Sequence, residues 1–354
     1  MTTDEQLVVG EIDLVDNTDA RALPMLDTSA DLVVTSPPYW RKRDYGMEGQ
    51  IGQEPTVEGY VEAIIDCLTE WRRVLRPTGS VFLNIGDTYH RQSLAGVPGL
   101  VEQAAVKAGW KIRNRVVWAK AGGHPEPSQR RLANRHEYVI HLVPSSAYYY
   151  DLFGFADGGP NPGDVWQMAL ERDMSAHLAP FPAELARRAI ALGCPEQVCV
   201  TCSAPRQRVV GRSTILNADR PQAVRAMQLA TAAGLTPEHI AAVQSVGISD
   251  VGKATKFQNG TGRNSDTVKA LAAEAKAALG GYFREFTMAP RTHEGWTDCG
   301  HDDYIRGVVL DPFAGTGTTV RVAEAMGRRG VGFDLACGQP PSNAAVNPVH
   351  RAGP

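Results

Sequence analysis

The sequence predicts an α/β fold: a mostly parallel sheet covered by helices and interrupted by a helical insertion. Short apolar runs alternate with segments of helical period through residues 1–193, and the alternation resumes over residues 304–336. Residues 194–303 break this rhythm, so we expect them to form the insertion. A chain of 354 residues with 43% hydrophobic content can bury one large core and such a module. Residues 337–354, rich in Pro, Asn and Gly, are expected to be a flexible tail.

Strand and helix alternate in the first part of the chain. DLVVT at 31–35 is an apolar run that ends at Pro37 and Pro38, which predicts a strand followed by a loop. Apolar residues at helical spacing from Val57 to Leu75 predict a helix, and Pro77-Thr78-Gly79 predicts a turn before a strand at 80–87. The remaining predicted elements are a helix near 98–108, strands at 111–118 and 137–142 around a Gly/Pro/Arg-rich loop at 122–134, irregular chain at 143–180 and a helix at 181–193.

A glycine-rich turn joins a later strand to a later helix. VVL at 308–310 is followed by DPFAGTGTT, a helix is predicted from Thr318, and the next strand ends at Asp334. Gly315 and Gly317 permit a tight turn and let a ligand approach the backbone. An acidic residue at the end of the second strand typically binds ribose hydroxyls, which predicts a nucleoside-like ligand. No Gly-Lys-Ser/Thr follows the glycines, so the turn does not match a phosphate-binding loop.

The loop after the DLVVT strand reads Thr-Ser-Pro-Pro-Tyr-Trp and offers preorganised hydrogen-bond acceptors. The exocyclic amine of a base is a poor nucleophile because its lone pair is delocalised into the ring. The Ser36 hydroxyl and the Pro37 carbonyl can hold the amine hydrogens, and the Pro37-Pro38 pair fixes the backbone. Tyr39 can stack on a base that is flipped out of the duplex. The alternative is a rigid turn in which Tyr39 and Trp40 only pack.

These motifs resemble those of the β-class DNA amino-methyltransferases, in which the catalytic Pro-Pro loop precedes the cofactor loop. TSPPYW resembles the catalytic motif and DPFAGTGTT the cofactor motif, HLAPFPAELARRAI (177–190) resembles the segment that closes over the methionine part of the cofactor, and Asp19-Ala20-Arg21 resembles the segment beside the adenine. The resemblance implies a Rossmann-like sheet, S-adenosylmethionine as the cofactor, and Ser36, Pro37, Pro38 and Tyr39 as catalytic residues. The cofactor-binding residues it implies are Asp19, His177, Phe181, Pro182, Asp311, Pro312, Phe313, Gly315, Gly317, Thr318, Thr319 and Asp334.

The resemblance also indicates which atom of the base receives the methyl group. Ser before Pro-Pro-Tyr is more typical of enzymes that methylate cytosine N4, and Asp of those that methylate adenine N6, so cytosine N4 is expected first and adenine N6 second. A cytosine C5 enzyme is disfavoured because it needs a nucleophile in a Pro-Cys context, which the sequence lacks. Two rival functions stay open: methylation of RNA or of a protein amide, and DNA binding by a zinc-containing protein without catalysis. In one departure, ACGQPPSNAAVNP follows Asp334-Leu335, where family members often carry an Asn-Pro-x-Tyr helix.

Charge is distributed unevenly along the chain. The formal net charge is -3, yet eight Lys or Arg face only two Glu between Lys107 and Glu137. Positive charge concentrated in one stretch predicts contact with the phosphates of double-stranded DNA, although an ordinary solvated surface is the alternative. The candidate DNA-binding residues are Lys120, Arg130, Arg131 and Arg135. A restriction endonuclease as a partner is left open.

No apolar run approaches the roughly 20 residues that span a bilayer. The opening MTTDEQLVVGEIDL lacks a basic segment followed by an apolar one, which argues against a secretory leader. We therefore expect a soluble, cytoplasmic protein without a membrane partner, and the resemblance implies that the cell is bacterial or phage-infected.

The cysteines cluster around the insertion. Cys199-Val-Thr-Cys202 gives two thiolates on one turn, and Cys299-Gly-His301 supplies two more ligands just before the strand at 308. Four Cys or His ligands in a closed tetrahedral set are typical of structural zinc, and Cys194 is an alternative to His301 as the fourth ligand. The competing interpretation is a set of reduced thiols in a loop. Cys67 and Cys337 stand alone and are expected to be inert.

The insertion is predicted to be helical. Residues 221–247 and 265–286 have helical patterns and flank the polar segment KATKFQNGTGRN. One hypothesis is that this segment helps to read the DNA target through Lys253, Lys256, Asn259 and Arg263. A purely structural insertion is the equal alternative.

Overall fold

The computed structural model describes residues 13–122, 129–169, 181–248 and 264–335. In chain order its strands are β1 (Asp13–Val15), β2 (Ala30–Thr35), β3 (Leu75–Ile85), β4 (Tyr89–His90), β5 (Ser93–Leu94), β6 (Lys111–Lys120), β7 (His136–Val143), β8 (Val165–Met168), β9 (Gln197–Cys199), β10 (Arg208–Arg212), β11 (Arg291–Trp296), β12 (Tyr304–Arg306), β13 (Val308–Asp311) and β14 (Arg329–Phe333). Its α-helices are α1 (Val57–Val74), α2 (Val97–Lys107), α3 (Leu152–Phe155), α4 (Ala183–Gly193), α5 (Pro221–Ala232), α6 (Pro237–Val246), α7 (Asp266–Leu279), α8 (Phe283–Thr287) and α9 (Thr318–Ala325).

One large sheet organises the described residues, with the strand order β1-β14-β13-β2-β3-β7-β6-β8. Among its described strands, only β7 runs antiparallel to its neighbours β3 and β6, and the remaining pairings are parallel. The prediction of a mostly parallel α/β sheet is therefore confirmed. Strands β2 and β13, which come from opposite ends of the described chain, are neighbours in the middle of the sheet. The carboxyl ends of these two parallel strands consequently lie side by side.

Helices cover both faces of the sheet because the side chains of each strand alternate. Val33 of β2 belongs to the core formed with α1 and α2, whereas Leu32 and Val34 belong to the core formed with α4 and α9. Helix α1 begins at an N-cap, where the Thr56 side chain accepts a hydrogen bond from the Gly59 N–H. Its apolar stripe includes Trp71, which is fully buried.

Two sequence predictions about the elements are wrong. Residues 143–180 are not irregular throughout, because α3 lies within them and β8 adds to the sheet edge beside β6. The four-residue β8 is too short to show a period, and its pairing places Trp166 opposite Trp118. The expected turn at Pro77-Thr78-Gly79 is also wrong: β3 already begins at Leu75, and the irregularity appears as a shift in its register with β2.

The described chain divides into two compact units, the second of which comprises Arg208–Trp296 together with the short segment Ala156–Pro160. The first unit contains the large sheet. The second contains the antiparallel pair of β10 and β11 together with α5 to α8, and these helices share a core that includes Val243, Leu279 and Phe286. The helical patterns at 221–247 and 265–286 are each divided into two helices, with Gly234 in left-handed backbone after α5. Among the described residues, no helix has the length and apolarity needed to cross a bilayer.

Candidate active site

The Ser-Pro-Pro-Tyr loop and the glycine-rich loop begin at neighbouring strand ends. Thr35, the last residue of β2, donates a hydrogen bond from Oγ1 to Oδ1 of Asp311, the last residue of β13, at 2.6 Å. The hydroxyl of Thr319, at the start of α9, donates to the second carboxylate oxygen at 2.6 Å. Asp311 is fully enclosed, and burial raises the pKa of its carboxyl to about 6 despite these two bonds. Asp311 thus ties the two loops together.

The glycine-rich loop has the backbone that its sequence predicts. Gly315 and Gly317 have φ of 51° and 80°, and a Cβ on Gly317 would lie 2.9 Å from Leu14 Cδ1. The Gly315 N–H donates to Asp334 Oδ2 at 2.8 Å, so the loop and the acidic strand end are in contact. Phe313 is half-buried and meets the Trp71 ring edge-on, with centroids 6.2 Å apart.

Asp19 lies at the same end of the sheet as Asp334. The Thr18 N–H donates to the Asp334 carbonyl at 3.0 Å, which places the Asp19 segment next to the end of β14. The Asp19 carboxylate accepts hydrogen bonds from Arg21 Nε at 2.9 Å and Nη2 at 2.6 Å, and these bonds lower its pKa. The structure therefore brings Asp19 together with the glycine-rich loop.

Of the remaining predicted cofactor-binding residues, two lie in or next to the glycine-rich loop and two at the start of α4. Pro312 is buried between Asp311 and Phe313, and Thr318 is the first residue of α9. Pro182 is the N-cap of α4, and Phe181 packs on the core that α4 shares with β2. His177 lies outside the described residues.

A polar network lies under the Ser-Pro-Pro-Tyr loop. The amide Nδ2 of Asn84, on β3, is 2.9 Å from the Tyr39 hydroxyl oxygen, 3.0 Å from Glu137 Oε2 and 3.3 Å from Ser36 Oγ. The Tyr39 hydroxyl donates to Glu137 Oε2 at 2.5 Å, and Lys120 Nζ donates to Oε1 of Glu137 at 2.5 Å. Burial and the neighbouring Glu137 raise the pKa of Tyr39.

The loop itself is anchored from below. The Tyr60 hydroxyl of α1 donates to the Pro38 carbonyl at 3.0 Å, and the Trp40 indole N–H donates to the Glu54 carbonyl at 2.9 Å. The Tyr39 ring lies so close to the backbone of Gly86 that a Cβ there would be 2.5 Å from its Cε2. The Ser-Pro-Pro-Tyr loop is therefore anchored by α1, by the segment that precedes α1 and by the chain that follows β3.

Asn84 and Glu137 are two candidate site residues that the sequence reasoning missed. Asn84 interrupts the buried run VFLNI of β3, and Glu137 precedes the buried part of β7. A polar side chain inside an apolar strand was the available signal, since such a group must find a partner.

The predicted DNA-binding residues separate into two environments. Lys120 is 18% exposed and paired with Glu137 inside the network. Arg130, Arg131 and Arg135 are exposed on the connection between β6 and β7, where the Arg131 guanidinium lies over the Tyr89 ring at 3.7 Å.

The predicted metal ligands also come together. They belong to the unit that contains the large sheet, and in the sequence they are separate from the Ser-Pro-Pro-Tyr and glycine-rich loops. One ligand atom from each of Cys199, Cys202, Cys299 and His301 lies within 4.8 Å of the ligand atoms of the remaining three. Cys194, the alternative ligand, is not part of this group; it is fully buried, and its thiol donates to the Pro195 carbonyl.

Comparisons with known proteins agree on the family. The family model N6_N4_Mtase, described as DNA methylase, matches residues 30–201 and 302–337. The chain is 32% identical over 213 residues to the Type II methyltransferase M.SmaI of Serratia marcescens, covering 49% of this chain and 73% of that protein. It is 33% identical over 196 residues to M.XycI of Xanthomonas campestris pv. cyanopsidis, covering 46% of this chain and 65% of the relative.

The fold has a counterpart among solved structures. The PvuII DNA methyltransferase, described as cytosine-N4-specific, superposes with a TM-score of 0.52 at 14% identity, covering 91% of this chain and 81% of that one. This similarity concerns the fold alone. Together with the family match, it confirms the fold class and the resemblance that the motifs indicated.

Proposed function

Because the chain belongs to the N6/N4 DNA methylase family, we propose that it transfers a methyl group from S-adenosylmethionine to cytosine N4 in double-stranded DNA. The observation that carries the proposal is the Thr35–Asp311 hydrogen bond, which fixes the Ser-Pro-Pro-Tyr loop beside the glycine-rich loop. Direct transfer requires the acceptor and the donor to be held in line and in contact. The neighbouring strand ends support the proposal because they place the two loops side by side.

The residues around the glycine-rich loop fit S-adenosylmethionine. The left-handed backbone at Gly315 leaves space where a Cβ would stand, and the carboxylate of Asp334 follows β14, where ribose hydroxyls bind in folds of this type. Half-buried Phe313 offers an apolar surface next to them. When bound, this cofactor supplies an electrophilic methyl group on a sulfonium. Asp311, enclosed by two threonine hydroxyls, holds the loop in shape.

The polar network fixes the direction in which the Ser36 hydroxyl donates its hydrogen bond. Its hydroxyl hydrogen points to the Tyr39 oxygen at 3.5 Å, and Tyr39 in turn donates to Glu137. Ser36 Oγ also accepts a hydrogen bond from Asn84 Nδ2 at 3.3 Å, which occupies one of its two lone pairs. The second lone pair stays open to accept a hydrogen from the amine of the target base. That hydrogen bond draws the amine lone pair out of the ring, which makes the nitrogen a better nucleophile. Glu137 is the last acceptor in this series of hydrogen bonds, and Lys120 stabilises its negative charge.

The choice of cytosine over adenine depends on Ser36. A neutral acceptor at this position is typical of the N4 enzymes that the motif resembles, and adenine N6 is the second candidate. Either base must leave the duplex to reach the loop, which costs a few kcal/mol. Tyr39 stays a predicted contact of the flipped base, and its hydroxyl is already engaged with Glu137.

DNA is proposed to approach along the basic connection between β6 and β7. The exposed side chains of Arg130, Arg131 and Arg135 lie on the segment that joins the strands carrying Lys120 and Glu137. Because the relatives are Type II methyltransferases, a restriction endonuclease that acts at the same DNA site is the proposed partner. The hypothesis of target reading by Lys253, Lys256, Asn259 and Arg263 falls outside the described residues.

The test compares wild type with Ser36→Ala on unmethylated DNA of mixed sequence, followed by digestion to nucleosides and mass spectrometry. We expect N4-methylcytosine from wild type and a rate about 100-fold lower from the variant, the size of effect seen when one preorganised hydrogen-bonding group is lost. Cofactor affinity, measured by calorimetry, should be unchanged. Ser93→Ala, at an exposed position on β5, is the matched control.

Each competing function has its own outcome. N6-methyladenine in the digest, without N4-methylcytosine, would show that adenine is the substrate instead of cytosine. An undiminished rate in Ser36→Ala would remove Ser36 from the mechanism. Absence of both methylated nucleosides together with no uptake of S-adenosylmethionine would favour a DNA-binding protein without catalysis.

A further inference from the structure

Three thiols and an imidazole meet at the point where the chain leaves the sheet unit and returns to it. We refer to Cys199, Cys202, Cys299 and His301 as the Cys3His cluster. Their ligand atoms all lie within 4.8 Å of one another, and Cys299 Sγ is 3.5 Å from His301 Nδ1. The first two residues precede the helical unit in the chain and the last two follow it. Only folding brings them together.

The first half of the cluster is a preformed turn. The Ser203 N–H donates to the Cys199 carbonyl at 2.9 Å, and the Cys199 N–H donates to the Ala204 carbonyl at 2.9 Å. The Cys202 N–H donates to Cys199 Sγ at 3.5 Å, which helps to fix the position of that sulfur within the turn. Ser203 has a positive φ of 57°, so the chain accepts an uncommon backbone conformation to close this turn.

The second half is fixed in the same way and aligned with the first. The Gly300 N–H donates to Asp298 Oδ1 at 2.7 Å, which shapes the Cys299-Gly-His301 turn. Strand β12 pairs with β9 so that Tyr304 lies opposite Cys199, and the Val200 N–H donates to the Asp303 carbonyl at 3.0 Å. The β9–β12 ladder therefore sets the two turns face to face.

We propose that the Cys3His cluster binds one zinc ion in a closed, tetrahedral structural site. Thiolate and imidazole are the donors that zinc takes in such sites, and four protein ligands leave no position for a substrate. Zinc–sulfur bonds of about 2.3 Å place ligand atoms about 3.8 Å apart, so a small contraction of the cluster would enclose the ion. Three thiolates leave the site with a net negative charge, and the Arg206 guanidinium lies close by over the Tyr304 ring.

The position of the cluster defines what the ion does. Next to it, the Gln207 N–H donates to Thr297 Oγ1 and the Thr297 N–H donates to the Gln207 carbonyl, both at 2.9 Å. These bonds join the two connections to the helical unit, and the ion cross-links the same two connections at the Cys3His cluster. Removing the ion should loosen both connections and leave the loops that flank Asp311 intact.

The experiment uses the full chain, purified with a thiol reductant and without chelator. Metal content is measured by mass spectrometry of the elements, and Co²⁺ is then exchanged into the protein as a spectroscopic probe. We expect close to one zinc per chain, and for Co²⁺ both thiolate charge-transfer bands and the visible bands of a tetrahedral ion. Cys202→Ser and Cys299→Ser should lose most of the metal. Cys67→Ala, which removes a buried thiol remote from the cluster, should retain it.

A second pair of variants keeps the test independent of folding. His301→Cys preserves four ligands and should bind the metal, whereas His301→Ala should bind it much more weakly. Limited proteolysis of the chelator-treated protein should cut near 200–207 and 297–303 faster than in the zinc form, with uptake of S-adenosylmethionine preserved. Less than about a tenth of an equivalent of zinc with no Co²⁺ thiolate bands would overturn the proposal.

Discussion

Replacing Asp311 with Asn should change how the stability of the protein depends on pH. The Asp311 side chain is fully enclosed, and burial raises its pKa from 3.8 to about 6 although Thr35 and Thr319 both donate to it. Between these two pKa values the folded protein holds more protons than the unfolded chain. The free energy of unfolding therefore falls as the pH rises through this window.

The size of the effect follows from the pKa shift. A difference of about two pKa units corresponds to a loss of roughly 3 kcal/mol, which is absent below the unfolded pKa and fully developed above the folded one. Of this, about 1.4 kcal/mol develops between about pH 5 and about pH 7.5. Asp311→Asn carries no charge at this position. Its free energy of unfolding, relative to wild type, should therefore increase by about 1.4 kcal/mol over the same range.

Urea denaturation of both proteins at the two pH values measures this difference. Subtracting wild type from variant cancels the contributions of unrelated titrating groups such as Glu184, whose pKa is lowered to about 2 chiefly by its hydrogen bond with Arg187. Asp44→Asn, at an exposed position, is the control and should show no such change. A difference that stays flat with pH would refute a raised pKa at Asp311. A difference that falls with pH would mean that the threonine hydrogen bonds outweigh burial.

Three further substitutions test the site and its support. Gly86→Ala should lower the methylation rate and leave cofactor affinity unchanged, because the new Cβ would lie 2.5 Å from Tyr39 Cε2 and displace the ring. Glu137→Gln should lower the rate about 10- to 100-fold in single-turnover assays, because a charge-assisted hydrogen bond to Tyr39 becomes a neutral one. Arg76→Met should lower the free energy of unfolding in urea by about 3–5 kcal/mol, because it leaves the buried carboxylate of Asp31 without its ion pair.

Matched controls separate these effects from general damage. Gly99→Ala adds a Cβ where no atom lies within 4 Å, and it should retain the wild-type rate. Equal rates for Gly86→Ala and wild type would show that Tyr39 needs no fixed position. A rate unaffected by Glu137→Gln would detach the network from catalysis, and a loss of under about 1 kcal/mol in Arg76→Met would mean that Asp31 is neutral in the folded protein.

The sheet and its two loops could be predicted because their signals are local. The alternation of apolar residues around DLVVT and VVL identified β2 and β13, and the motif order placed their ends together. The Cys199 and Cys299 turns were visible from spacing alone, and the structure brings them within ligand distance of each other. In each case a short segment contains the whole pattern.

The contacts of the candidate site were not visible from such local signals. Asn84 and Glu137 lie on different strands, and their meeting with Tyr39 depends on the antiparallel register of β3 with β7. The hydrogen bond from Thr35 to Asp311 joins residues near opposite ends of the described chain. Strand β8 gave no period in four residues and is defined by its pairing with β6. These three features depend on contacts between segments that are distant in the sequence, so local sequence preferences could not predict them.

The place of β13 between β2 and β14 has a consequence during synthesis. Translation produces β2 and β3 early, but the partner for the second edge of β2 emerges only after the helical unit. Until then the fully buried strand Ala30–Thr35 presents an unpaired apolar edge, which is prone to mispairing and slows folding of a topology with such distant partners. The neighbouring ends of β2 and β13, which carry the Ser-Pro-Pro-Tyr loop and the glycine-rich loop, can therefore come together only after the helical unit has been synthesised.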